Sequence, residues 1–100
     1  MSEAADSRLF MSRVDALLQE AALRISPLAA GIIVAADMGI ADSRSFARQL
    51  GIEHALVLRE IAHLSGPEGL VTVTGRHAKS LRTSIALSTR GEMVLRECCA

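Results

Sequence analysis

Between Asp42 and Leu64 two helical patterns are separated by little more than a single glycine, and no other stretch restricts the fold as strongly. Asp42 and Ser43 carry side-chain oxygens suited to accept the unpaired amides at a helix start, and Phe46, Ala47 and Leu50 then recur at helical spacing. Gly51 is the residue type that a left-handed helix end favours. A longer helix is expected from Glu53. At about 100° per residue, Val57, Ile61 and Leu64 share one side of it, and Ala55, Arg59, Ala62 and His63 the other. Short helix, tight turn and longer helix is the helix-turn-helix order.

The flanking segments read as helices and one hairpin. Leu9, Phe10, Val14, Leu17, Leu18, Ala21 and Ile25 recur every three or four residues, which predicts an amphipathic helix over 7–24. Ser26-Pro27 is a cap and first-turn pair, opening a nearly all-apolar helix over 27–38 that Gly39 ends. The helix-turn-helix pair occupies 43–50 and 53–65, before Gly66, Pro67 and Gly69 stop it. Alternating, β-branched runs at 70–74 and 83–87 predict two strands joined by a long polar tip, Gly75 to Arg82. Thr89 and Glu92 stand at capping-box spacing ahead of a final helix over 90–98. The expected fold class is α+β, mainly α, as one domain over 1–100.

Composition narrows the function classes. Eleven basic and eleven acidic residues cancel, so any hold on a polyanion must come from local clustering. That clustering exists: residues 69–91 hold Arg76, Lys79, Arg82 and Arg90 and no acid, with His77 beside them. A basic loop on a neutral body suits a phosphate clamp, and a solvated turn is the plain alternative. Phe10 and Phe46 are the only aromatic residues, too few to stack single-stranded bases. The two cysteines, Cys98 and Cys99, are adjacent, so no disulfide framework is expected. Terminal packing or incidental thiols is the plain reading of that pair, and redox sensing the alternative. Residues 1–6 lack a basic-then-apolar order and no apolar run reaches membrane-spanning length, which points to a soluble, cytoplasmic protein with no membrane partner.

The segments Ser45-Phe46-Ala47-Arg48-Gln49-Leu50-Gly51-Ile52, Val57-Leu58-Arg59 with Leu64, Glu68-Gly69-Leu70-Val71 and Ala86-Leu87-Ser88-Thr89-Arg90-Gly91 together resemble the winged helix-turn-helix core of MarR-type bacterial transcriptional regulators, over roughly residues 25–95. The resemblance implies a winged helix-turn-helix fold with terminal helices for dimerisation. It also implies a homodimer that binds double-stranded DNA and regulates transcription. One helix would enter the major groove, and a β-hairpin wing would reach the neighbouring minor groove or the backbone. Carried over by position, the family's recognition-helix arginine falls on Arg59 and its wing-tip arginine near Arg82. The chain departs from the family pattern at Leu58, where Ser or Thr is frequent, and at Ser80, where an Asp is usual.

The DNA-contact set expected on these grounds is Ser43, Ser45, His54, Ala55, Arg59, His63, Arg76, His77, Lys79 and Arg82. Arg59 would read guanine or grip a phosphate. Dimer contacts are expected at Leu9, Phe10, Val14 and Leu17 and, in the last helix, at Met93 and Val94, because a small aliphatic chain otherwise exposes much apolar surface. No catalytic residue, metal or cofactor is expected. His54 and His63 are nine residues apart and point to opposite sides of one helix, and no phosphate-binding glycine loop or nucleophile elbow occurs. The alternative function is a protein-interaction module, an antirepressor or accessory factor, that keeps the scaffold without binding DNA.

Overall fold

The computed structural model describes residues 3–20 and 23–99, and its elements follow the punctuation of the chain. Their order is α1 (Glu3–Leu18), α2 (Pro27–Asp37), α3 (Ser43–Leu50), α4 (His54–Ser65), β1 (Val71–Arg76), β2 (Thr83–Leu87) and α5 (Thr89–Cys99). Together they make an α+β fold, mainly helical, with one antiparallel hairpin.

Helix α2 is the centre of the molecule. Ser26 is extended (φ −78°, ψ 164°), as a following proline requires, and its hydroxyl accepts the Ala29 amide at 3.0 Å. Seven consecutive residues, Ala29 to Ala35, are buried, so the helix needs partners on every side. It finds them in α1, α3, α4, α5 and β2. Burial of a side chain such as Ile32 or Ile33 contributes about 1.5–3 kcal/mol. The Arg13–Asp37 ion pair fastens α1 to the last turn of α2.

Helix α1 ends at Leu18, short of the expected residue 24. The Gln19 amide still reaches the Asp15 carbonyl at 3.1 Å, but that of Glu20 turns to Leu17 at 3.2 Å, a tightened last turn. Residues 21 and 22, on which part of the expected helix falls, lie outside the described residues. Leu23 and Ile25 pack on the core from a non-helical segment. Their spacing imitates the helical stripe because both patterns answer to the same core, and the chain must reverse here for α1 to lie against α2.

Helix α3 starts and stops on its expected residues. Asp42 accepts the Ser45 amide at 2.9 Å, and Gly51 ends the helix at φ 66°, a conformation that costs glycine nothing. Val57, Ile61 and Leu64 of α4 are buried, as their common face requires, and Glu53 precedes the helix without a side-chain cap.

Strands β1 and β2 pair in the register Val71 with Leu87 and Arg76 with Thr83, with an irregularity between Val73 and Gly75. Strand β1 runs two residues past the expected 74, so Gly75 and Arg76 belong to the ladder rather than to the tip. A third edge joins it: Asp42 bridges Ser84, and the Ile85 amide donates to the Ala41 carbonyl at 2.8 Å. Helix α5 is capped by Ser88, not by the expected Thr89. Ser88 Oγ accepts the Gly91 amide at 3.0 Å and donates to the Gly69 carbonyl at 2.6 Å. Residue 91 must be glycine for steric reasons, because a Cβ there would collide with the Leu70 carbonyl.

Candidate functional site

Three elements meet at Ser43, the first residue of α3. Its hydroxyl oxygen accepts the Thr83 amide of β2 at 2.9 Å and lies 2.7 Å from Nε2 of His54, the first residue of α4. The neighbouring Asp42 bridges Ser84, accepts from both the amide and the hydroxyl of Ser45, and stands 3.7 Å from Nε of Arg82. The tip-side end of the hairpin ladder is thereby fixed to the start of both helices of the pair. Arg44 then reaches the hairpin tip, donating to the Ser80 carbonyl at 2.7 Å.

This geometry revises part of the expected contact set. Ser43 is fully buried and its hydroxyl is engaged inside the fold, so it is a strut rather than a surface contact. Ser45 and His54 are half-buried and bonded to Asp42 and Ser43 respectively. A serine at the first turn of a helix looks like a surface residue in sequence, because its partner Thr83 is 40 residues away. Arg44 carries no local signal for the same reason: its partner is 36 residues distant.

Ala55, Leu56, Arg59 and Ala62 are the exposed residues of α4, and Ala55, Arg59 and Ala62 line up along one strip. His54 leans from one edge of it toward the hairpin. His63 leans from the other edge, with Nε2 3.4 Å from the Arg24 carbonyl and 3.7 Å from the Glu68 carboxylate. Arg59 shares a shallow groove with Arg24, Ser26, Glu60 and His63, a second cationic position that the sequence pattern did not single out. The expected residues therefore fall at two ends of one helix face: a hairpin end and an Arg24 end, with Arg59 on the latter side.

Arg76, His77 and Lys79 are exposed on the hairpin, as is Arg82 despite its approach to Asp42. Arg90 belongs elsewhere. It sits in the first turn of α5 and donates to the Glu68 carbonyl, so it ties that helix to the turn before β1. The hairpin tip carries Leu81, whose φ of 58° makes it the one non-glycine residue with positive φ among those described. A left-handed backbone costs a branched residue about 1–2 kcal/mol.

The expected dimer contacts also divide. Val14 and Leu17 are buried against the chain's own core, and Phe10 and Val94 are half-buried against it. Leu9 and Met93 remain at the surface, 52% and 50% exposed, with Met11 at 51%. The apolar stripe of α1 is wider than its contact with α2, so one edge packs and the other stays outside.

Titration is coupled to this geometry. Burial pushes the His54 imidazole below its ordinary pKa, Arg44 pushes the same way, and Asp42 opposes them in part. Neutral His54 can accept the Ser43 proton, whereas protonated His54 can only donate and leaves that proton without its acceptor. Because the folded pKa is the lower one, this contribution to stability is complete above the unfolded value and is lost as pH falls through the folded one. Melting followed from neutral pH into mild acid should show the loss in the wild type and not in His54→Gln; parallel curves would remove His54 from the account. Partial burial works to raise the Asp42 pKa, but the Ser45 amide and hydroxyl, Arg82 and the Arg44 amide outweigh it and hold the carboxyl below its ordinary value. Its contribution is lost in a separate, more acid range.

Cys98 and Cys99 are half-buried, and burial, with Glu20, Cys99 and Glu97, raises the Cys98 pKa and favours the thiol. Among the described residues no group of three or more His, Cys, Asp or Glu converges on one point. No helix among them is long and apolar enough to cross a membrane. No protein-family model, curated protein or solved structure matches this chain.

Proposed function

We propose that the chain is a winged helix-turn-helix regulator of the MarR type that binds double-stranded DNA as a homodimer. Helix α4 enters the major groove and the hairpin serves as the wing, gripping the backbone or the adjacent minor groove. The observation that carries this reading is the rigid attachment of an acid-free cationic hairpin to the start of α4 through Ser43, with the Ala55, Arg59 and Ala62 strip left exposed beside it. Small residues let a helix approach base edges closely, and one arginine can bind guanine bidentately or hold a phosphate. Leu9, Met11 and Leu18 of α1 and Met93 of α5 are exposed large apolar residues on the terminal helices that support a dimer. Such a dimer would set its two copies of α4 about one helical turn apart along the duplex and regulate transcription by occupying the site.

The direct test is binding to mixed-sequence duplex DNA over a range of salt. Neutralised phosphates should appear as a steep fall of affinity with salt. Arg59→Ala should cost about 1–3 kcal/mol and relax one base position if Arg59 reads guanine; an equal loss on every sequence would make it a phosphate contact. Absence of binding at low salt would favour the protein-interaction module instead, for which Leu56, 42% exposed on α4, is the supporting observation.

A further inference from the structure

We infer that Leu81 is an apolar wedge carried at the hairpin tip to enter the minor groove and open a deformable base step. The inference rests on the DNA-binding reading above and specifies the kind of duplex that site selects. Among the described residues Leu81 is the most exposed large hydrophobic residue, at 61%, and it stands on a left-handed backbone with φ 58°. A tip built only to turn the chain would place glycine or asparagine at such a position and direct a polar side chain to water. This tip breaks both rules at one residue. Local rules broken together mark functional positions more often than packing ones.

The loop around Leu81 is braced rather than slack. The His77 amide donates to the Arg82 carbonyl at 2.9 Å and closes the loop, while the Arg82 amide donates to Ser80 Oγ at 3.3 Å. From outside the hairpin, Arg44 holds the Ser80 carbonyl at 2.7 Å. The leucine is therefore presented from a fixed base, with the exposed cations Lys79 and Arg82 on either side of it. Cations flanking an apolar tip match the minor groove, where phosphates line both edges and an aliphatic side chain can part a base step. Pyrimidine–purine steps such as TA unstack most readily, whereas A-tracts are stiff and narrow and attract an inserted arginine. A leucine wedge and an arginine tip thus prefer opposite sequences.

The experiment compares two end-labelled duplexes of equal length and base composition, one with alternating TA steps and one with an A-tract, in affinity and in end-to-end energy transfer. The wild type should bind the alternating duplex about tenfold tighter and bend it. Leu81→Gly should bind both alike, bend neither and keep the wild-type salt slope, since no phosphate contact is lost. Its melting temperature should equal or exceed that of the wild type, because glycine relieves the left-handed backbone. Leu81→Met should retain the preference. Leu81→Asn, also at ease with positive φ but polar, should lose it and serves if glycine loosens the loop. Binding of neither duplex at low salt overturns the DNA-binding reading itself. Binding of both without preference or bend, preference for the A-tract, or a preference that survives in Leu81→Gly and Leu81→Asn overturns the wedge and leaves the DNA-binding reading standing.

Discussion

Replacing Arg76, Lys79 and Arg82 together by Ala is expected to leave the chain folded and to remove most of its salt-dependent affinity for duplex DNA. All three side chains are exposed, and substitutions at exposed positions without buried partners ordinarily change stability by less than about 0.5 kcal/mol. Arg82 has one ion-pair partner, Asp42 at 3.7 Å, and a pair this exposed is worth at most about 1 kcal/mol. Asp42 keeps its bonds to the amide and hydroxyl of Ser45, so α3 keeps its cap. The functional loss is much larger. With three such cations in each wing, the proposed dimer neutralises six phosphates. That number gives a slope of about −5 in log affinity against log salt and a fall of about a thousandfold between roughly 50 and 200 mM. The triple variant should show a nearly flat dependence and weak binding throughout. A variant that kept the wild-type slope would move the phosphate contacts to another face, and the Arg24 and Arg59 groove would be the first place to look.

The parts of this molecule that could be read from its sequence are those fixed within a few residues. Ser26-Pro27, Asp42 and Gly51 are local devices, each satisfied or strained by the backbone next to it, and α2 and α3 begin and end close to where those residues place them. The second strand, 83–87, is likewise a local alternation. What failed depends on distance. Ser43 has the type and position of a surface residue, and only a strand 40 residues later makes it an interior strut. Val14 and Leu17 share a stripe with Leu9, yet the all-apolar α2 takes the first two into the core and leaves the third outside. Thr89 and Glu92 had capping-box spacing, but Ser88 holds the position because its hydroxyl also reaches Gly69, 19 residues back. The bridge between Asp42 and Ser84 gave no pattern at all, since one residue cannot alternate.

The interior position of Ser43 leads to the second large effect. Its hydroxyl accepts from Thr83 and, where Nε2 of neutral His54 is the unprotonated nitrogen, donates to it, so Ser43→Ala removes both bonds at a point closed to water. A buried donor left unpaired costs about 1–3 kcal/mol, and here the Thr83 amide loses its acceptor in a buried residue. With the His54 bond also lost, we expect about 2–3 kcal/mol in total, or a fall of roughly 10–20 °C in melting temperature for a domain of this size. Double substitution with His54→Ala separates the two bonds. Bonded neighbours do not add, and the shortfall measures the Ser43–His54 coupling, expected at about 1 kcal/mol. DNA affinity measured well below the lowered melting point tests the strut's functional role. All wing cations survive in Ser43→Ala, so the salt slope should persist while affinity falls, because the wing must be ordered at each binding event instead of being held in advance. A melting temperature within about 2–3 °C of the wild type, a shift well under 1 kcal/mol, would mean that Ser43 does not tie the hairpin to the helices. The rigid link on which the proposed interface depends would then have to be sought in Arg44 and Ser80.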